Sequence, residues 1–165
     1  MNKRIRQYIG ILCALVCYYI IHEGAHLFYA LYHGVFKQIN LMALGVQIDI
    51  YRDQLSDSQL GWFCLAGPLA TFVSAWILIL LRHRICTSSS AVFKACAWYT
   101  TIALLLLDPL YLSIAYRFVG GGDMNGIRLL IPETAAAIVF GILFIAHLFV
   151  LIKILLPTYK KAFNN

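Results

Sequence analysis

The stretch YYIIHEGAHLFYALYHG, residues 18–34, places three histidines and a glutamate in a run that is otherwise mostly apolar. An ionisable side chain at the centre of a bilayer costs roughly 3 kcal/mol or more, and such residues usually mark a functional site. Whether these ionisable residues mark a functional site therefore depends on whether the run crosses a membrane.

The composition of the whole chain is that of a membrane protein. Hydrophobic residues make up 62% of the 165 residues, and charged residues only 12%. A soluble domain contains about 25% charged residues, and a spanning helix needs about 20 mostly apolar ones. Four stretches meet this requirement: residues 8–32, 61–81, 91–119 and 133–156. We predict a single all-α, polytopic membrane domain over residues 1–165, with about four transmembrane helices.

The basic residues indicate a lipid bilayer rather than nucleic acid as the partner. The formal net charge is +6, but the lysines and arginines lie at the ends of the apolar runs and form no single patch. If the four helices alternate in direction, nine of the 13 fall on the side of both termini and four on the other. The positive-inside rule then predicts cytoplasmic termini and a multi-pass protein of the cell membrane.

The HEGAH motif predicts a zinc site. His22 and His26 are four residues apart, so both rings project from one helix face. Two imidazole nitrogens at this spacing can reach one Zn²⁺ at about 2 Å. Glu23 follows the first ligand, where it can accept a proton from the attacking water and pass it to a leaving amine. His33 and His147 are expected to lie outside the metal site.

The third ligand has two candidates, since a hydrolytic zinc site usually has three protein ligands and one open position. Asp123 lies in VGGGDMNGIRLL (residues 119–130), where the glycines allow a sharp turn and a close approach. Asp108 lies in LLLLDPLYL (residues 104–112), where Pro109 is expected to break or kink the helix. The residues alone leave the choice between the two open. Asp108 is either the alternative ligand or an acceptor that orients a histidine ring.

HEGAH in a membrane helix, AGPLATF at residues 66–72 and a later aspartate before a glycine together resemble the site-2 proteases. These are intramembrane zinc metalloproteases that cut membrane segments of other proteins. The resemblance spans roughly residues 15–130. It implies that Gly67 and Pro68 lie in the second core helix, and that Asp123 supplies the last zinc ligand.

The chain departs from the pattern of that family at three places. Thr71 and Asp108 stand where the family usually has asparagine, and the glycine after Asp123 comes three residues later, at Gly126. The family usually places its site near the cytoplasmic face, whereas the charge count places this site toward the outside. Both orientations remain open from the sequence.

The segment KQINLMALGVQIDIY, residues 37–51, predicts a β-hairpin. Apolar and polar residues alternate on both sides of Ala43, Leu44 and Gly45, and a period of two is typical of strands. The open edge of the hairpin could pair with an extended substrate. Alternatively, the hairpin is half-buried and closes the loop between the first two helices.

These features predict an intramembrane zinc endopeptidase that hydrolyses peptide bonds in or near transmembrane segments of membrane-protein substrates. Its ligands are His22, His26 and Asp123, and its general base is Glu23. Asn125, beside Asp123, is a candidate contact for the oxyanion or the substrate. The alternative is a non-catalytic zinc-binding membrane protein that acts as a binding, immunity or regulatory subunit.

Overall fold

Among residues 2–42 and 45–164, which the computed structural model describes, four helices are long and apolar enough to cross a membrane. Each contains the whole of one predicted apolar stretch, so the expected all-α polytopic fold is confirmed. A short helix precedes the last of them. The helices are α1 (Lys3–Tyr32), α2 (Asp57–Cys86), α3 (Ala91–Val119), α4 (Met124–Ile127) and α5 (Glu133–Asn164).

Polar caps set the starts of α2 and α3. The Ser56 side chain accepts a hydrogen bond from the Gln59 N–H at 3.3 Å, and the Gln59 side chain accepts one from the Ser56 N–H at 3.0 Å. This reciprocal pair satisfies two amides that a helix start otherwise leaves without partners. Ser90 caps α3 with one hydrogen bond, its side chain accepting from the Phe93 N–H at 3.2 Å. The caps lie at or beyond the ends of the apolar runs.

The predicted hairpin is present between α1 and α2. Strands β1 (Phe36–Met42) and β2 (Gly45–Ile50) pair in an antiparallel register that sets Ile39 opposite Ile48. Ala43 and Leu44, where the predicted turn falls, lie outside the described residues. The Ile48 side chain is buried against the end of the bundle, so β2 is the strand that packs on the helices.

The outer surface of the bundle suits hydrocarbon. Large apolar side chains point outward from the middle of the helices, with Leu80 73% exposed and Ile145 69% exposed. Small and apolar residues fill the interior, including Ala75, Leu104 and Leu105. This arrangement is expected when lipid rather than water surrounds the helices.

Pro109 does not break α3, although the sequence suggested a break or kink there. The helix continues through it and widens into a π-helical turn at Tyr111–Ala115. Proline has no N–H, so Pro109 leaves the carbonyl of Leu105, four residues earlier, without its helical partner. His147 of α5 supplies one, with its Nδ1 2.7 Å from that oxygen. An unpaired carbonyl costs several kcal/mol in a bilayer, which accounts for a histidine at this depth.

Candidate metal centre

Three side chains from distant parts of the chain converge inside the bundle. His22 and His26 are buried on α1, and their Nε2 atoms lie 3.2 Å apart. The loop after α3 brings Asp123 to them, with one carboxylate oxygen 3.1 Å from His22 Nε2 and the other 3.5 Å from His26 Nε2. This group could hold a metal ion, as the sequence predicted.

The spacing of these atoms fits a tetrahedral ion. Zinc binds nitrogen and oxygen at about 2.0–2.2 Å, so neighbouring ligand atoms of a tetrahedron lie about 3.3–3.4 Å apart. The two imidazole nitrogens lie 3.2 Å apart, close to that value. The carboxylate approaches them through different oxygens, one 3.1 Å from His22 Nε2 and the other 3.5 Å from His26 Nε2, so the group is of the right size for such an ion.

The hydrogen bonds behind the two rings place lone pairs at the convergence point. His26 Nδ1 lies 2.8 Å from the carbonyl oxygen of Phe63, which can only accept, so this nitrogen carries the proton. His22 Nδ1 lies 3.3 Å from both carboxylate oxygens of Asp108 and donates in the same way. In the neutral rings both Nε2 atoms then carry lone pairs, facing each other and the Asp123 carboxylate. A metal ion satisfies all three acceptors at once, whereas a single proton is shared by at most two of them.

Asp108 lies behind the first histidine and not at the convergence point. Its carboxylate is 2% exposed and accepts hydrogen bonds from Tyr18 at 2.5 Å, from Thr71 and from His22. A carboxylate in this position fixes the tautomer and the orientation of a metal-binding ring. Of the two predicted carboxylates, the structure brings Asp123 to the metal group and places Asp108 behind it. Thr71 and Asp108, two of the departures from the family pattern, contact each other.

Gly67 creates the space in front of the ligand nitrogens. A Cβ atom on this residue would lie 2.6 Å from His26 Nε2 and 2.7 Å from His22 Nε2. The backbone of α2 passes this close only because residue 67 has no side chain. A methyl group would fill the volume between the ligand atoms, so the position is shaped to keep that volume open.

The loop that carries Asp123 is packed tightly against α2 and α3. Gly120 adopts a φ of +99°, which favours glycine, and its carbonyl accepts a hydrogen bond from Tyr111 at 2.8 Å. A Cβ on Gly126 would lie 2.3 Å from the Cys64 sulfur. The glycine spacing, which differs from the family pattern, thus lets α4 lie directly on α2.

The charge state of Asp123 follows from its contacts. Burial raises the pKa of its carboxyl, but when His22 and His26 are protonated, their hydrogen bonds and their charge outweigh burial and lower the pKa to about 2. The group is therefore an ionised, strongly held ligand candidate at neutral pH.

Glu23 and Asn125 border the same cavity as the metal group. The cavity has a volume of about 740 Å³, and residues 45–48 of β2 form another part of its wall. The Glu23 carboxylate accepts a hydrogen bond from the backbone N–H of Ile48 at 3.3 Å. The structure thus brings the two predicted reaction residues into one cavity with the candidate ligands, while their chemical roles remain predictions.

Sequence reasoning missed two residues that support the site. Tyr18 donates to Asp108, and its ring stacks on that of His22 with centroids 5.3 Å apart. Tyr18 precedes His22 by one helical turn, so continuing the stripe of polar residues backward would have found it. Thr71 gives no comparable signal, because its partner is 37 residues away. His33 packs on Tyr29 outside the metal group.

Fold and site together define a multi-pass membrane protein with a candidate metal site inside its helix bundle. No family model, curated protein or solved structure matches the chain. Function is therefore inferred from the geometry of the site and from the motifs that form it.

Separate substitutions of Asp123 and Asp108 test whether the first binds the metal and the second only orients His22. We expect Asp123→Asn to lose bound zinc, because it removes the anionic donor from the group. Asp108→Asn should still bind zinc, about 10–100-fold more weakly, because only the orientation of His22 is affected. Zinc affinity is measured by competition with a chromophoric chelator in detergent. A larger loss of zinc affinity in Asp108→Asn than in Asp123→Asn would contradict this assignment of the two residues.

A methyl group at residue 67 tests the space between the ligands. We expect Gly67→Ala to weaken zinc binding at least about tenfold, since the added Cβ occupies the ligand space and overpacking is costly. Gly24→Ala is the matched control, because a Cβ at Gly24, also within HEGAH, meets no atom within 4 Å. Metal content and thermal unfolding are compared for both variants. Equal zinc affinity in Gly67→Ala and in the wild type would show that the close approach has no bearing on metal binding.

Proposed function

We propose that this protein is an intramembrane zinc endopeptidase, similar to the site-2 proteases, which hydrolyses peptide bonds in or near the transmembrane segments of membrane proteins. The observation that carries the proposal is the meeting of His22, His26 and Asp123 at the wall of a cavity that Glu23 also borders. A ligand group and an adjacent carboxylate base are the two parts that such hydrolysis requires.

The donor set favours zinc as the metal. Two imidazoles and one carboxylate are a common ligand set of hydrolytic zinc sites, which keep a fourth position open. Zinc held there would polarise the scissile carbonyl and lower the pKa of a water molecule to about 7. The protein contributes the ring orientation, through the Phe63 carbonyl behind His26 and Asp108 behind His22.

Glu23 is the proton carrier in this proposal. It directly follows His22 on α1, so the rigid helix fixes its carboxylate beside the ligand group. The N–H of Ile48 holds that carboxylate at the cavity wall. From there Glu23 accepts a proton from the attacking water and delivers it to the departing nitrogen. Asn125 borders the same cavity and offers an amide donor for the oxyanion.

The outer edge of β2 offers a place to hold the substrate. The N–H of Ile48 points to Glu23, so this edge of the strand faces the cavity. Alternate N–H groups of a strand lie on the same side, which puts the Val46 N–H on the cavity side as well. A transmembrane substrate hides its peptide bonds within its own helix. Pairing with β2 in an extended conformation would expose one of them to water and to Glu23.

The cell membrane is the proposed location, with a membrane-protein or membrane-anchored peptide as substrate. The alternative, a non-catalytic subunit that binds zinc, shares the metal group but requires no proton carrier. The two functions therefore differ in whether they require Glu23.

Glu23→Gln separates the two functions. We expect it to retain zinc, because Glu23 is not part of the ligand group, and to lower cleavage at least about 100-fold. Wild type and variant are reconstituted in vesicles with reporters that carry single transmembrane segments, and the products are identified by mass spectrometry. Asp57→Asn, at an exposed carboxylate in the first turn of α2 that does not line the cavity, is the control. Retained zinc with equal product formation by wild type and Glu23→Gln would exclude the proposed mechanism and favour the non-catalytic role.

Removing the backbone N–H of Val46 tests whether a substrate strand pairs with β2. We expect Val46→Pro to slow cleavage about tenfold or more while zinc content stays unchanged, because proline has no N–H to offer a substrate strand. Val46→Ala keeps that amide and serves as the control for loss of the side chain. Initial rates are compared at equal metal loading. If both variants cleave at the rate of the wild type, the edge of β2 does not hold the substrate.

A further inference from the structure

A second cavity lies at the opposite end of the bundle from the metal group. It has a volume of about 410 Å³ and is enclosed by the first turns of α1, the start of α3 and the last turns of α5. Arg6, one of its lining residues, precedes His22 by 16 positions, or about 24 Å along a helix. Three cations and several aromatic rings line it, among them Lys3, Arg6, Lys160, Trp98, Tyr99 and Phe163.

The charge at this end of the molecule has one sign. Nine of the 13 lysines and arginines belong to it, and none of the seven acidic residues does. Within residues 2–42 and 45–164, the ion pairs made by lysine or arginine are Lys37–Asp49 and Arg128–Glu133, both at the metal end. Lys3, Arg6 and Lys160 therefore face the cavity without an anionic partner in the described chain.

The N-termini of α1 and α3 add to this positive field, whereas the C-terminus of α5, which also lines the cavity, carries an opposing partial negative charge. α1 begins with Lys3, Arg4 and Arg6, and neither α1 nor α3 has an acidic residue in its first turn. A helix N-terminus carries a partial positive charge, so cations there are unfavourable and an anion is stabilising. This end of the bundle is thus arranged for a negative group that no described side chain provides.

The cavity walls are held in place before any ligand binds. The Arg6 guanidinium lies 4.9 Å from the centre of the Phe163 ring. Lys94 donates to the carbonyl oxygen of Ala162 at 2.7 Å, which fastens the last turn of α5 to α3. Trp98 and Tyr99 are of the type enriched at the level of lipid headgroups. The cavity therefore combines fixed cations with aromatic rings of the types found near lipid headgroups.

We propose that this cavity binds the phosphate headgroup of an anionic phospholipid. The phosphate contacts Lys3, Arg6 and Lys160, and the acyl chains lie in the surrounding bilayer. Basic pockets between transmembrane helices bind anionic headgroups in this way. The site is separate from the metal group, so the proposal holds whether or not the protein is a protease.

Two double variants with the same loss of charge test the proposal. Arg6→Gln with Lys160→Gln removes two cations that line the cavity. Arg84→Gln with Lys161→Gln removes two exposed cations at the same end that do not line it. Detergent-purified protein is titrated with phosphatidylglycerol or with phosphatidylcholine, and bound lipid is counted by native mass spectrometry. We expect one tightly bound phosphatidylglycerol per chain in the wild type, with binding about 30-fold weaker in the cavity variant and at most a few-fold weaker in the control.

Any of the following outcomes would contradict binding of an anionic phospholipid in this cavity. Equal weakening in both variants would leave only general attraction between the surface and lipid. No preference for phosphatidylglycerol over phosphatidylcholine would exclude anion recognition. A parallel titration with inorganic phosphate identifies the source of the anion, since saturation by free phosphate without lipid preference would make the ligand a soluble anion. Thermal unfolding is followed for each variant, and Lys160→Gln alone repeats the test if the double variant does not fold.

Discussion

The structure depends on one electrostatic constraint, the convergence of two imidazole lone pairs and a carboxylate inside an apolar bundle. Each of these acceptors repels the others, and in a medium of low dielectric constant that repulsion is large. A bound cation attracts all three acceptors, so their convergence becomes favourable. The Phe63 carbonyl and Asp108 hold the rings so that the lone pairs face inward, and Gly67 keeps the volume between them open. These features have a common explanation if that volume holds an ion.

Paired burial also applies to two other polar groups of the interior, the Asp108 carboxylate and the Leu105 carbonyl oxygen. Asp108 would be very costly alone in the bilayer, but three donors from α1 and α2 surround it. The Leu105 carbonyl, which Pro109 leaves without a helical partner, is bonded to His147. A buried network of this kind is stabilising when every member is satisfied and destabilising when one is not. His147 therefore supports the helix segment that carries Asp108, although it lies outside the metal group.

Local patterns were sufficient to predict the helices, the hairpin and the histidine pair. Hydropathy identifies the spanning helices because each of them must be apolar where it crosses the lipid. The four-residue spacing of His22 and His26 places both residues on one face of α1. The choice between Asp123 and Asp108 depends on how three helices pack, since these residues meet His22 from 101 and 86 positions away. Tyr18 lies within reach of periodic reasoning, whereas Thr71 and the pairing of Pro109 with His147 emerge only from the packing.

The position of the metal group along α1 bears on how water reaches it. His22 lies 14 residues after Tyr8, where the apolar stretch of α1 begins, or about 21 Å along the helix axis. The hydrocarbon core is about 30 Å thick, so the group lies in the half of the membrane opposite the termini. Five of the seven acidic residues follow α1 on that side, and nine of the 13 basic residues lie at the other end. The positive-inside rule, which counts lysine and arginine and gives little weight to acids, predicts that the metal end faces away from the cytoplasm. If the protein is the proposed protease of the cell membrane, water would enter from that side, through the cavity that the hairpin borders, and a substrate cut there would release its product outside the cell. The resemblance to the site-2 proteases implies the opposite face, so the location of the amino terminus decides which compartment receives the product.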